Sequence, residues 1–190
     1  LQEYIDAAKA ASQRVADLTD QLMQALPGWS LAPVVNSLVA LRGIDKLAAT
    51  VLLAELGDIS RFASPKQLMA YLGLVPSEHT TGARRRQGAI TLTGNSHARR
   101  MLVECAWSYR FTARQTMHLK RKAKTASPEA KAIAWRAQKR LCGRYRQLSQ
   151  AGKNIKLVCV AVARELVGFI WDIVRHEMPR LGLQVAPTDR

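Results

Sequence analysis

Residues 127–146 read SPEAKAIAWRAQKRLCGRYR, and this stretch decides the fold class. Ile133, Ala137, Leu141 and Tyr145 recur every fourth residue, with Ala134 beside them. That spacing puts the side chains on one face of an α-helix. Lys131, Arg136, Lys139, Arg140, Arg144 and Arg146 occupy the rest of the surface. Ser127-Pro128-Glu129 is a helix start. It supplies a capping hydroxyl, a proline where no amide partner is needed, and a carboxylate near the positive end of the helix dipole. The stretch predicts a long helix that is apolar on one side and cationic on the other.

The same period runs outward in both directions. Residues 154–175 place Val158, Val162, Leu166, Phe169 and Ile170 inward on a last helix. Residues 95–113 give another, capped by Asn95 or Ser96, with Leu102, Cys105, Ala106 and Tyr109 on its buried face. Ser64-Pro65 starts a further helix with Leu68, Met69 and Leu72 inward, and Gly73-Leu74-Val75-Pro76 ends it. Helices are also predicted over 31–41 and 46–56, separated by Leu41-Arg42-Gly43-Ile44-Asp45. Residues 1–26 set Tyr4, Ala8, Ala11, Val15, Leu18, Leu22 and Leu26 on a 3.5- to 3.6-residue period, a long amphipathic, coiled-coil-like arm stopped by Pro27-Gly28. The expectation is an all-α protein: arm 1–28, helical domain 29–178 and flexible tail 179–190. Trp107, Trp135 and Trp171 fall on helical stripes and are expected in the core, with Trp29 a partial surface anchor.

Composition narrows the function. The chain has 190 residues, 48% of them hydrophobic, enough for a packed core. No run of eighteen apolar residues occurs, so no membrane partner is expected. Cys105, Cys142 and Cys159 are isolated and form no zinc or disulfide pattern, so reduced thiols in a cytoplasmic protein are expected. The chain opens at Leu1 without a methionine, which suggests a fragment, a processed chain or an incompletely read frame.

The net charge of +15 is focused. Residues 1–81 hold six basic and eight acidic side chains, residues 82–146 hold seventeen and two, and residues 147–190 hold six and four. The middle third equals the whole excess. Such focusing favours a polyanion, nucleic acid first, although a solvated basic surface or an acidic protein partner would show the same pattern.

Candidate contacts follow from chemistry. Gly43, between two helices, suits a helix-hairpin-helix turn whose backbone approaches a phosphate; such glycines also occur in proteins that never meet DNA. Residues 77–95 hold four threonines, three glycines and the triplet Arg84-Arg85-Arg86. A long polar loop of this kind is more often functional than merely connective, and a short hairpin around Gly82 would fit it. Thr80 and Thr81 offer hydroxyls beside those arginines; turn capping is the other reading. His79, Asn95, His97, Arg99 and Arg100 are candidate phosphate contacts, as are Lys120, Arg121, Lys122, Lys124, Arg136, Lys139, Arg140 and Arg144. Asp6, Asp17 and Asp20 read as a solvated face, and no metal or other cofactor site is expected in this chain.

The run from Gly43-Ile44 through LLAELGDISRFASPKQLMAYLGLVPSEHTTGARRRQGAITLTGNSHARRMLVECAWSYR resembles the C-terminal domain of the insertion-sequence 110/116/902-type transposases. The resemblance implies a recombinase acting in DNA transposition. It implies a separate ribonuclease-H-like domain with an acidic Mg2+ site, a coiled-coil arm and homo-oligomers. It also implies a structured guide RNA bridging the DNA partners, and action at the nucleoid. The family's Ser-Ser-Gly is here Thr80-Thr81-Gly82, so its serine nucleophile maps to Thr81, with Thr80 next. The alternatives are a nonenzymatic helix-hairpin-helix module, an inactive transposase remnant, or a helical adaptor that assembles through its arm.

Overall fold

The computed structural model describes residues 1–78 and 87–182. The chain is mainly all-α, with eight α-helices and a two-stranded sheet among the described residues. It divides into two units, Leu1–Ala32 and Pro33–Arg190.

The first unit is built on α1 (Gln2–Ala25), followed by a 3-10 turn, Leu26–Gly28. Pro27 enters that turn, so the arm tightens before it stops. None of the residues of α1 is buried. Gln2 donates to Asp6 at 3.0 Å and Gln13 to Asp17 at 2.8 Å, so these carboxylates serve one-turn pairs along the helix surface.

The second unit contains α2 (Ala32–Leu38) apart from its first residue, α3 (Lys46–Leu56), α4 (Pro65–Tyr71), α5 (Ser96–Ala106), α6 (Met117–Lys122), α7 (Pro128–Gln150) and α8 (Ile155–Glu177). Helix starts follow local chemistry. Asp45, Asn95 and Ser127 accept the amides of Ala48, Ala98 and Ala130 at 2.7, 2.9 and 3.0 Å. Ser64 and Thr116 cap α4 and α6 in the same way.

Helix α8 is the organiser. It packs against α7, α5 and α4, and buries Val158, Val162, Leu166, Val167, Ile170, Ile173 and Val174. Each such side chain contributes about 1.5–3 kcal/mol through removal from water. Two polar links fix its register. The buried Glu177 accepts from Ser127 Oγ at 2.5 Å, and Trp171 Nε1 donates to the Phe62 carbonyl at 2.8 Å.

Several expectations change. The helix expected over 31–41 is shorter, Ala32–Leu38. The helix expected to run toward Ala113 stops at Ala106 and tightens into a 3-10 turn, Trp107–Arg110. That turn still seats Tyr109 in full burial, but it carries Trp107 off the apolar stripe. Trp107 is exposed, with the Arg110 guanidinium 5.0 Å from its ring centroid. Trp135, Trp171 and Phe169 are only half-buried. In the polar 77–95 segment the hairpin reading holds for its strands: β1 (Pro76–Glu78) pairs antiparallel with β2 (Gln87–Ile90). Beyond the hairpin, Gly94 has φ +70° and lies against the Tyr71 carbonyl, where any β-carbon would overlap it. This close approach locks the entry to α5 against the end of α4.

Candidate nucleic-acid interface

The predicted contact residues separate by what their side chains already touch. His79, Thr80, Thr81, Arg84, Arg85 and Arg86 lie outside the described residues. The others fall into four places.

The first is the turn between α2 and α3. Gly43 adopts φ +84°, with its α-carbon against the end of α5. Lys122 donates to the Leu41 and Ile44 carbonyls at 3.0 and 2.6 Å, so α6 is stapled to this turn. Burial lowers the Lys122 ammonium pKa from its ordinary value. Arg42 binds the Thr112 carbonyl at 3.0 Å and reaches Cys142 Sγ at 3.6 Å. Gly43 and Lys122 are therefore neighbours. A groove of about 590 Å³ opens beside them, with Arg114 and His118 on its wall.

The second place is the start of α5. Asn95 Nδ2 donates to Glu55 Oε2 at 2.6 Å, and His97 Nδ1 lies 2.8 Å from Glu55 Oε1. Hydrogen bonds from Asn95 first, and His97 second, hold the Glu55 carboxyl below its usual range. One nitrogen of Arg99 donates to the Leu72 carbonyl at 3.0 Å and the Thr93 carbonyl at 2.8 Å. Arg99 therefore clamps both feet of the segment that leaves α4 and returns to α5. Arg100 pairs with Glu104 one turn on.

The third is α6. Lys120, Arg121 and Lys124 are exposed, and none has a carboxylate partner among the described residues.

The fourth is the outer face of α7. Arg136 pairs with Asp172 at 3.0 Å, and Arg140 with Glu165 at 2.8 Å. Arg144 Nε stands 3.2 Å from Glu165, an ion-pair distance without hydrogen-bond alignment. Lys139 sits 5.7 Å from the Trp135 ring centroid.

Sequence reasoning missed Glu55, Arg42 and Gln138. Glu55 gives no local signal because its partners are about forty residues away. Gln138 sits among apolar helix positions, where its spacing looks like core. Desolvation raises the pKa of each buried cysteine, to about 11 for Cys105, so these thiols stay protonated near neutrality. Among the described residues, no three His, Cys, Asp or Glu side chains converge on a metal position. No helix is long and apolar enough to cross a membrane, again among the described residues.

Residues 35–122 match the family described as Transposase IS116/IS110/IS902, which takes in α3 to α6, the hairpin and most of α2. This part of the chain is an IS110-type transposase domain. Over 151 residues the chain is 51% identical to the transposase y4qE of Sinorhizobium fredii, an overlap of 80% of this chain and 39% of that protein. It is 29% identical over 141 residues to the transposase for insertion sequence element IS1111A of Coxiella burnetii, covering 74% and 33%. It is 24% identical over 180 residues to the pilin gene-inverting protein of Moraxella bovis, covering 88% and 45%. The chain thus spans less than half the length of each of these curated relatives.

Proposed function

We propose that this chain is the nucleic-acid-binding and strand-transfer part of a transposase acting in DNA transposition. One observation carries the binding half: Lys120 and Arg121 on α6, at the end of the family segment, and Lys124 just beyond it, stand exposed and without carboxylates among the described residues. Phosphates are the natural counter-ions for such a row, and they position a duplex without reading its sequence. The α2–α3 turn at Gly43 serves as a helix-hairpin-helix element, and the start of α5 adds phosphate contacts. DNA is the principal partner, with a structured guide RNA as the second. The α1 arm makes homo-oligomers, and Mg2+ belongs to the family's separate acidic domain. The protein works in the cytoplasm at the nucleoid.

Binding is tested by fluorescence anisotropy of the full chain with duplex DNA and with structured RNA at several salt concentrations. If roughly five to eight phosphates are engaged, the log–log salt slope is about −5 to −7. A flat response, or no binding at low salt, removes the reading and leaves the assembly adaptor.

The strand-transfer half rests on Thr81, which stands where the family carries serine. Its Oγ would attack a DNA phosphodiester, forming a phosphothreonine ester and releasing a deoxyribose hydroxyl that takes up the proton. The arginine triplet would offset charge on the non-bridging oxygens. With the family's acidic domain supplied, fused or in trans, Thr81→Ala should abolish a covalent protein–DNA adduct and Thr81→Ser should increase it. Loss with Thr80→Ala alone moves the role to Thr80. The methyl group of threonine crowds an approach to phosphorus, which favours a second reading, a DNA-binding relative without strand transfer. An adduct from Thr81→Ser but none from wild type would establish it.

A further inference from the structure

A cavity of about 270 Å³ lies between α6, α7 and the α2–α3 turn, where Ala40 and Arg42 line it, and Lys120 stands on its rim. Leu119 of α6 and Ala123, the residue just after it, wall one side, and Trp135 of α7 another. Gln138 lines it, although this residue is only 4% exposed. Its amide has no hydrogen-bond partner among the described residues. Neither amide atom is among the fully enclosed polar atoms left unpaired, so the donor and acceptor open onto the space that Gln138 lines. At the mouth, Lys120 is exposed and unpaired, and Lys131 Nζ reaches the Lys124 carbonyl at 3.3 Å.

We infer that this cavity receives one unpaired nucleobase of the strand bound along α6. The inference rests on the nucleic-acid reading above and specifies what that surface recognises. The volume lies just below the usual range for small-molecule sites, about 300–1,000 Å³, and suits a single ring system. Apolar and indole walls match a base's faces. Lys120 at the rim matches the attached phosphate. A primary amide places one donor beside one acceptor, the pair that binds the adjacent N–H and ring nitrogen of adenine. A base stacked in a duplex cannot enter; one already unpaired enters without the unstacking cost. The occupant is therefore a bulged, mismatched or single-stranded base, adenine foremost, from DNA or from RNA.

The experiment compares the full chain's affinity for a perfect duplex with that for the same duplex carrying one bulged adenine, in DNA and in RNA, by anisotropy at fixed salt. 2-Aminopurine at the bulge reports entry through its emission. Wild type should prefer the bulge about tenfold in at least one of the two, with a change in emission. The arm that shows the preference identifies the source of the base. Gln138→Met should reduce the preference below about threefold without weakening perfect-duplex binding. Ala123→Leu, which fills the cavity from its α6 side, should do the same and covers the case in which Gln138→Met does not fold. Perfect-duplex binding with no bulge preference, or a preference that survives both substitutions, overturns the cavity assignment alone. No binding to any duplex removes the nucleic-acid reading itself, and this occupant with it.

Discussion

Gly43 rests its α-carbon against the carbonyl oxygen of Cys105, so closely that a β-carbon there would overlap the oxygen. The same β-carbon would stand 2.9 Å from Ser108 Oγ, and the residue's φ of +84° is one that side chains rarely adopt. The glycine thus joins the α2–α3 turn to the end of α5, whatever ligand meets the turn's other side. Gly43→Ala should destabilise the protein by about 2–4 kcal/mol, from backbone strain plus displaced packing. Urea denaturation measures it. A loss below about 1 kcal/mol would mean that the turn moves freely away from α5.

Glu55 gives a pH dependence of known sign. Its native carboxyl lies below the ordinary 4.5, so the ionised form is favoured by folding. That contribution is fully present above about pH 4.5 and is lost as pH falls through the lower native value. Glu55→Gln should therefore be less stable than wild type at pH 7, and the difference should shrink toward pH 3. Denaturation of both proteins across this range checks it. A constant difference would mean that the carboxyl's charge plays no part.

Arg99 was legible as a cation but not as a clamp. Its partners, the Leu72 and Thr93 carbonyls, close a segment that no local pattern marks. Arg99→Ala should cost about 1.5–3 kcal/mol, the range for hydrogen bonds to a charged group. Hydrogen exchange should quicken first at the Thr91 and Leu92 amides, which bond to the Val75 and Gly73 carbonyls. Uniform loss of protection across α7 and α8 would contradict a local clamp.

The contrast between α7 and the three buried-end cations shows what sequence can and cannot reveal here. Ser127-Pro128, Ser64-Pro65 and Asn95 act over three or four residues, so the helix starts were readable. So was the face Leu102, Cys105, Ala106, Tyr109, because burial follows the helical period. Arg42, Arg99 and Lys122 look like their neighbours in the sequence, yet each donates to backbone carbonyls at least 27 residues away in one of its contacts. Charge focusing counts such residues as surface charge. Trp107 failed for a different reason: the period was right, but the helix ended one residue before it. The expected nucleophile and the arginine triplet lie outside the described residues.

The arm should pair between copies. Tyr4, Val15 and Leu18 are exposed, and the unit formed by residues 1–32 buries none of α1. An isolated amphipathic helix gains little from propensity alone, so its apolar stripe needs a partner. Sedimentation equilibrium of the full chain should show a dimer or larger species. Val15→Asp with Leu18→Asp should yield monomer with unchanged far-ultraviolet circular dichroism in the remaining helices. A monomeric wild type would remove the pairing.

The cations of α6 and α7 should behave differently although the sequence ranks them alike. Lys120, Arg121 and Lys124 have no carboxylate beside them among the described residues, and their charge is free for phosphate. Arg136 and Arg140 face Asp172 and Glu165. A phosphate approaching them meets a compensated charge and must displace a carboxylate. Each neutralisation on α6 should reduce the magnitude of the salt slope by about 0.9, the release of one phosphate contact. Arg136→Ala and Arg140→Ala should leave the slope unchanged and lower stability by about 1 kcal/mol or less, because the arginine of each pair is largely exposed although its carboxylate partner is mostly covered. Anisotropy titrations at four salt concentrations separate the two sets, and thermal melts confirm that each variant is folded. Equal slope changes for α6 and α7 variants would mean that bound nucleic acid displaces Asp172 and Glu165. The interface would then extend across the outer face of α7. No slope change for any α6 variant would move the phosphate contacts elsewhere and remove the observation on which the binding proposal rests.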